Sequence, residues 1–179
     1  MPLPHAPLVI DEKTKRDCRI MFIAKNALWD GSGSAEDGNH ATYHVEMRVV
    51  LKGLGFNLRV ENRFEVLFDK PDVDFVFPLL NRAGFFNSEM LCPLLCERLG
   101  VPYLGANPIL RGLADDKHLT KLEAHARAVP TCDWAVYRAG APVTPERCPT
   151  ADRYVIKPNN SSASWGIGDA TDWDGVRTA

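Results

Sequence analysis

The sequence predicts an α/β fold with a mostly parallel sheet, and two observations predict it. Short apolar runs rich in β-branched and aromatic residues alternate with segments whose apolar residues recur at helical spacing. Gly, Pro, Asn and Asp, which end helices and form turns, separate these segments. Strands that alternate with helices pair in parallel, because each helix returns the chain to the same edge of the sheet.

The part of the chain through about Leu113 contains the alternating elements. Residues 19–24 read RIMFIA, which is typical of a buried strand. Gly55 and Gly100 stand where helix C-caps belong. Pro93 lies inside a helical pattern, so this helix either kinks or begins after residue 88. We predict strands at 19–24, 56–60, 74–79 and 101–104 and helices at 40–54 and 88–99.

From residue 107 onward, capping residues identify the helices. Asn107 and Pro108 predict the N-cap and first turn of one helix. Asp116 can cap the next, which ends before Pro130, and Asp172 can cap a last helix that the end of the chain interrupts. We predict a helix that begins at 108 and another at 117–128, strands at 134–137 and 154–157, and a final helix from 173.

Three parts are expected along the chain. Residues 1–17, with three prolines in the first seven positions, are predicted to form a flexible N-terminal arm. Residues 18–113 form the α/β domain. Residues 114–179 are expected to form a further part of the chain, whose last helix is cut in its second turn and so cannot bury a full face. The chain is therefore expected to be truncated.

Composition argues against several classes of protein. A formal net charge of −2 gives no field that would attract nucleic acid or an anionic membrane. No apolar run reaches the ~18 residues of a transmembrane helix, and the start lacks the apolar stretch of a signal peptide. The five cysteines are scattered, so we expect reduced thiols and a cytoplasmic protein.

The strongest functional motif follows the predicted strand at 154–157. This strand delivers Lys157, and the turn behind it, at 158–167, is rich in Asn, Ser and Gly. Such a turn can present N–H groups and hydroxyls to a polyphosphate, while the lysine supplies a point charge. An ordinary hairpin is the structural alternative, since the same residues are common in turns.

A second motif, DDKHLTK, begins at Asp115. Lys117 lies on the first turn of the predicted helix, and Lys121 lies one turn further along. By itself this pattern is typical of a capped helix on the solvated surface. Its place about forty residues before the Lys157 turn, with Gly105 to Pro108 just upstream, favours a functional interpretation.

These motifs occur in series. The segments VPYLGANPILRGLADDKHLTK and VIKPNNSSASWGIGDATDW, preceded by GSGSAE at 31–36, resemble the ATP-grasp enzymes and most closely the D-alanine–D-alanine ligases. The similarity runs from about Arg19 to the final residue. It implies a parallel-sheet pre-ATP-grasp domain at 18–113, followed by the first lobe of an ATP-grasp domain at 114–179.

The resemblance implies a role for individual residues. Glu36 and Ser164 are the expected catalytic residues, and Glu36 would orient the first amino acid through its ammonium group. Asn81 is expected to contact substrate. Contacts to ATP are expected from Lys117 and Lys157 and from the loop residues Ser162, Ala163, Ser164 and Gly166.

The chain departs from the family pattern at two places. Ser162 and Ala163 stand where the family has Gly and Ser, and a Ser restricts positive φ. At 81–88 the family's His and acids are missing, and Asn81 hydrogen-bonds but cannot titrate. The two phenylalanines at 85 and 86 favour a different or larger first substrate. An ATP-grasp ligase for another amino acid or for a peptide is therefore the nearest alternative.

ATP and Mg²⁺ are the cofactors that the resemblance implies, and amino acids are the substrates. ATP would phosphorylate one carboxylate, and a second amino acid's amine would displace phosphate, as in peptidoglycan precursor synthesis. The family's Mg²⁺ ligands, an Asp and a Glu-x-Asn pair, have no match at 168–179. We expect them outside this chain, expect the chain alone to be inactive, and expect a homodimer in the family's manner.

Two alternatives come from other classes. A dinucleotide-dependent oxidoreductase would need G-x-G-x-x-G, and the third glycine is replaced by Glu36. A non-catalytic nucleotide-binding module is the other, since half an enzyme could bind a nucleotide without turning it over.

Overall fold

A computed structural model describes residues 9–24, 40–79, 88–160 and 166–179. The chain divides into two units, Met1–Pro108 and Ile109–Ala179. None of the described helices combines the length and the apolar character that a membrane crossing requires.

Helix α1 (Glu12–Asp17) lies within the segment for which the sequence predicts a flexible arm. Its cause is local, because Oδ1 of Asp11 accepts the N–H of Thr14 at 2.9 Å and so caps the helix. Residues 1–8 lie outside the described residues.

Three parallel strands form the sheet of the first unit, in the order β2–β1–β3. They are β1 (Arg19–Ile23), β2 (Asn57–Glu61) and β3 (Phe75–Pro78). Ile20 pairs with Leu58 on one side of β1 and with Phe75 on the other. The prediction of an α/β fold with a parallel sheet is confirmed.

The prediction of a strand at 101–104 is wrong. A single parallel bridge joins Tyr103 to Val76. The N–H of Val76 donates to the Pro102 carbonyl at 2.9 Å, and the N–H of Leu104 donates to the Val76 carbonyl at 3.0 Å. Since Pro102 has no N–H, the ladder cannot extend past it.

Both faces of β1 are covered, which explains its uninterrupted apolar sequence. Met21 and Ile23 lie in a core cluster that includes residues of helix α3 (Leu91–Leu99). Phe22 and Ala24 lie in a second cluster. That second cluster includes Leu51 of helix α2 (His40–Gly53).

Helix α3 begins after residue 88, one of the two outcomes that Pro93 allows. A 3₁₀ turn at Ser88–Met90 precedes it, so Pro93 lies in the first turn, where its missing N–H is tolerated. Cys92 and Cys96 are buried one turn apart, and all five cysteines of the chain are free. The hydrogen bond with Cys96 and burial both raise the pKa of Cys92.

The second unit is built from helices and a β-hairpin. Helix α4 (Pro108–Asp115) begins at the unit boundary, followed by α5 (Lys117–Ala126). Strands β4 (Tyr154–Ile156) and β5 (Gly168–Ala170) pair antiparallel, and α6 (Trp173–Thr178) follows.

The strand predicted at 134–137 is wrong, because these residues pair with no strand that the structure describes. Side chains hold this segment instead. The hydroxyl of Tyr137 donates to the carbonyl of Thr144 at 2.9 Å, and its ring lies 6.2 Å from that of Trp173. An apolar run becomes a strand only where a second strand supplies backbone partners.

Candidate functional site

Helix α5 begins with the side-chain cap that the sequence predicts. Oδ1 of Asp116 accepts the N–H of Leu119 at 2.9 Å. Although burial opposes it, hydrogen bonds from the Leu119 N–H and the Asn159 side chain hold the pKa of Asp116 below its usual value. An ionised carboxylate therefore lies at the positive end of the helix, where a negative charge is stabilising.

Asn159 joins this helix start to the loop that follows β4. Its carbonyl oxygen accepts the backbone N–H of Lys117 at 3.2 Å and the Lys117 ammonium at 3.1 Å. Its side-chain Oδ1 accepts the N–H of His118 at 2.8 Å. Nδ2 of Asn160 donates to the carbonyl of Asp115 at 3.2 Å. The first turn of α5 and this loop form one hydrogen-bonded unit.

Lys157 directly follows β4 and is exposed. The pairing of Ile156 with Gly168 fixes the point at which the chain leaves the hairpin. Lys157 lies two residues before Asn159, the residue that holds Lys117. The Lys117 ammonium therefore contacts the loop that begins at Lys157.

Gly166 lies at the far end of this loop. Its φ is +64°, and a Cβ there would lie 2.9 Å from Cγ and 3.2 Å from Cδ of Pro158. Only glycine fits such a conformation and such an approach. Ser162, Ala163 and Ser164 lie outside the described residues, so their phosphate contacts stay predictions.

The backbone donors at the start of α5 are already used. The N–H groups of Lys117 and His118 donate to Asn159, and the next N–H donates to Asp116. These are the groups through which a helix N-terminus otherwise binds an anion. The start of α5 therefore has no free N–H among these three groups with which to hold an anion.

Lys121 stabilises the segment that follows α5. Its Nζ donates to Oγ1 of Thr131 at 2.8 Å and to the carbonyl of Cys132 at 2.7 Å. The same Nζ lies 5.3 Å from the ring centroid of Trp134, and Nε1 of Trp134 donates to Nδ1 of His118 at 2.8 Å. No sequence pattern pointed to His118, because a lone histidine occurs on many helix surfaces.

An open cavity of about 500 Å³ lies beside His118 and Trp134. Tyr137 and Arg147 also line it, and the Arg147 guanidinium lies 5.8 Å from the centroid of the Tyr137 ring. The described residues that line this cavity do not include the two lysines of the candidate site.

The predicted substrate residues, Glu36 and Asn81, lie outside the described residues. The structure does place the strands that lead to them, because β1 precedes Glu36 and β3 precedes Asn81 along the chain. These two strands are neighbours, and β2 lies on the other side of β1. Ligands of open α/β sheets bind beyond the carboxyl ends of strands at such a reversal of order. Both substrate roles stay predictions.

The acidic residues near the end of the chain have structural roles. Oδ1 of Asp172 accepts the N–H of Gly175 at 2.8 Å and caps α6, as predicted. Asp169 forms an ion pair with Arg153 at 2.9 Å. Within the described ranges, no three His, Cys, Asp or Glu side chains are grouped as a metal site requires.

Sequence comparison finds D-alanine–D-alanine ligases. The ligase of Synechococcus sp. (strain JA-3-3Ab) is 33% identical over 101 residues, which are 55% of this chain and 31% of that relative. The chain therefore spans about a third of the length of this relative. The resemblance that the motifs predict is confirmed for the aligned part. No protein-family model matches the chain.

Comparison with solved structures finds the same class of enzyme. A D-alanine–D-alanine ligase from Bacillus anthracis matches with a TM-score of 0.69 at 23% identity, over 90% of this chain and 52% of that one. A structure of the B. anthracis ligase complexed with ATP matches with a TM-score of 0.66 at 22% identity, over 90% and 53%. These matches show that the chain has the fold of part of such a ligase.

Proposed function

We propose that this chain is part of an ATP-dependent ligase of the D-alanine–D-alanine ligase type, which joins a carboxylate to an amine. Sequence similarity and shared fold support the reaction class. One observation in the structure carries the proposal, namely that Asn159 holds Lys117 against the loop that begins at Lys157. Two ammonium groups at one loop suit a chain of phosphates.

The proposed reaction has two steps. A carboxylate oxygen of the first amino acid attacks the γ-phosphorus of ATP, the bond to the β,γ-bridging oxygen breaks, and ADP leaves. The amine of the second amino acid then attacks the carbonyl carbon of the acyl phosphate. Phosphate leaves with the connecting oxygen, the nitrogen loses a proton, and an amide remains. The product would serve peptidoglycan precursor synthesis.

In this proposal the protein neutralises charge and positions the reactants. Lys117 and Lys157 hold the phosphates, and the loop through Gly166 covers them. Mg²⁺ would add further charge neutralisation, and no group of three or more His, Cys, Asp or Glu side chains among the described residues could hold it. Its ligands are expected outside this chain, which is why the chain alone is expected to be inactive.

The identity of the first amino acid is open to a direct test. Phosphate release by the full-length protein is measured with ATP and a panel of D- and L-amino acids and dipeptides. Release with D-alanine supports the D-alanine–D-alanine ligase type. Release with another amino acid or a peptide is favoured by the Phe pair at 85 and 86. ATP binding without release under any condition would indicate a non-catalytic module.

Two further properties belong to the proposal. Five free thiols suit the reducing cytoplasm, so we place the protein there. A homodimer is proposed from the resemblance to the family, and light scattering of the purified full-length protein would measure the mass. A monomeric mass at micromolar concentration would contradict the dimer.

A further inference from the structure

One hydrogen bond in the second unit specifies the charge state of a histidine. Nε1 of Trp134 donates to Nδ1 of His118 at 2.8 Å, and both side chains are half-buried. An indole N–H only donates, so Nδ1 has to accept. A histidine nitrogen accepts only in the neutral ring, with the proton on Nε2.

The backbone of the same residue leads to the candidate phosphate site. The N–H of His118 donates to Oδ1 of Asn159 at 2.8 Å, and the Asn159 carbonyl accepts the Lys117 ammonium at 3.1 Å. His118 therefore links Trp134, on the segment after α5, to the loop that follows Lys157. Lys121 supports the same segment from the next turn of α5, through Thr131.

We propose that neutral His118 is a positioning residue for nucleotide binding. Its ring holds Trp134 against the first turn of α5, and this contact fixes the Asn159 loop and thereby the ammonium of Lys117. Protonation turns Nδ1 into a second donor opposite the indole N–H. The contact to Trp134 is then lost, the first turn of α5 loosens, and ATP binds more weakly in acid. This inference rests on the proposed binding of ATP.

Charged groups of both signs surround the ring. Asp116, the N-cap of α5, lies two residues before His118 and interacts electrostatically with it. Lys117 and Lys121 lie on the same helix, the latter over Trp134. Two arginines, Arg138 and Arg147, line the cavity that His118 also lines.

Two substitutions separate the hydrogen bond from the bulk of the ring. His118→Asn keeps an acceptor close to the position of Nδ1, and that acceptor does not titrate. His118→Leu keeps an apolar side chain and removes the acceptor. The dissociation constant for ATP is measured with full-length wild-type, Asn and Leu proteins between pH 5.5 and 8. Because ATP itself titrates in this range, the compared quantity is the ratio of each variant's constant to the wild-type constant at the same pH.

The expected result is a ratio near one for His118→Asn at pH 8, falling to about one-fifth at pH 5.5 as only the wild type weakens. His118→Leu should bind about five-fold more weakly than wild type at pH 8. The indole ¹H–¹⁵N resonance of Trp134, assigned with Trp134→Phe, should move with pH in the wild type and stay fixed in His118→Asn.

Several results would overturn the inference. If the ratio of dissociation constants for His118→Asn stays constant across pH, His118 does not position the nucleotide site. This holds whether or not the indole resonance moves. A wild-type indole resonance that does not move with pH contradicts the proposed loss of the Trp134 contact in acid. Absence of ATP binding in all three proteins at every pH overturns the proposed function too, whereas ATP binding with a constant ratio overturns only this inference. If His118→Leu fails to fold, the Asn variant and the resonance still decide.

Discussion

The carbonyl oxygen of Asn159 accepts two hydrogen bonds from Lys117, one from the backbone N–H at 3.2 Å and one from the ammonium at 3.1 Å. The two residues are 42 positions apart. Their contact fixes a flexible side chain beside the exit of β4, where Lys157 lies. A lysine that is ordered beforehand loses less side-chain entropy when it binds a phosphate.

Asn159→Ala should destabilise the second unit. The backbone carbonyl remains, but the half-buried N–H of His118 loses its acceptor, at a cost of about 1–2 kcal/mol. Urea unfolding of the full-length protein measures this cost. Asn57→Ala is the control, since Asn57 is exposed on β2 and should change stability by at most about 0.5 kcal/mol. Equal effects of the two substitutions would show that the hydrogen bond from His118 to the Asn159 side chain does not stabilise the fold.

Gly166→Ala and Gly140→Ala separate a steric clash from backbone strain. Both glycines have positive φ, at +64° and +79°. A Cβ at Gly166 meets Pro158 at 2.9 Å, whereas one at Gly140 meets nothing within 4 Å. We expect Gly140→Ala to cost about 1 kcal/mol. Gly166→Ala should cost clearly more and should also weaken ATP binding, as denaturation and calorimetry would measure. A Gly166 variant no worse than the Gly140 variant contradicts the close approach.

Acid stability should depend on Arg19. Its Nε and Nη2 donate to the carboxylate of Asp74 at 2.9 and 2.7 Å, and these bonds hold the pKa of Asp74 well below its usual range. A lowered pKa in the folded state stabilises the fold above the unfolded-state pKa, and this contribution is lost as the pH falls below about 4.

Arg19→Gln should therefore flatten the pH dependence of stability of the first unit between about pH 4 and pH 2. Thermal unfolding at a series of pH values measures the slope. Arg63→Gln is the control, because its partner Glu65 is 3.7 Å away and both side chains are largely exposed. An unchanged slope in Arg19→Gln would mean that the guanidinium does not set the titration of Asp74.

Cys96→Ser should destabilise the first unit by about 1–3 kcal/mol, because it places a hydroxyl in an apolar core. Cys96 is fully buried beside Met21 and Val76. Cys132→Ser is the matched control on an exposed thiol and should change stability by at most about 0.5 kcal/mol. Thiol-labelling rates offer a second readout, in which Cys132 reacts fast and Cys96 only upon unfolding. Rapid labelling of Cys96 in the folded protein would be inconsistent with this core.

The fold was largely predictable because its strands carry one dominant signal. The segment RIMFIA at 19–24 is buried on both faces of the sheet. Its continuous apolar sequence is typical of such a strand and therefore predicted it. The segments at 101–104 and 134–137 are also apolar, yet neither is a strand, because strand formation depends on a partner that sequence periodicity does not show. Capping residues were reliable at Asp116 and Asp172, since the cap is a contact within four residues.

The site was predictable only through its lysines. Lys117 and Lys157 are charged residues of the motifs that carry the resemblance, but Asn159, which holds Lys117, looks like any asparagine in a turn. Likewise, Trp134 and His118 meet only in three dimensions. Long-range hydrogen bonds of this kind leave no local pattern in a single sequence.

The central claim is that the two lysines at this loop bind the phosphates of ATP. The direct measurement is the affinity of the full-length protein for ATP, by calorimetry, with Lys117→Ala and Lys157→Ala combined. Lys13→Ala with Lys52→Ala removes the same charge from exposed positions and serves as the control. Loss of two charge-assisted contacts predicts binding weakened about 100-fold or more, with the control unchanged. Unchanged affinity in the Lys117/Lys157 double variant would contradict the account.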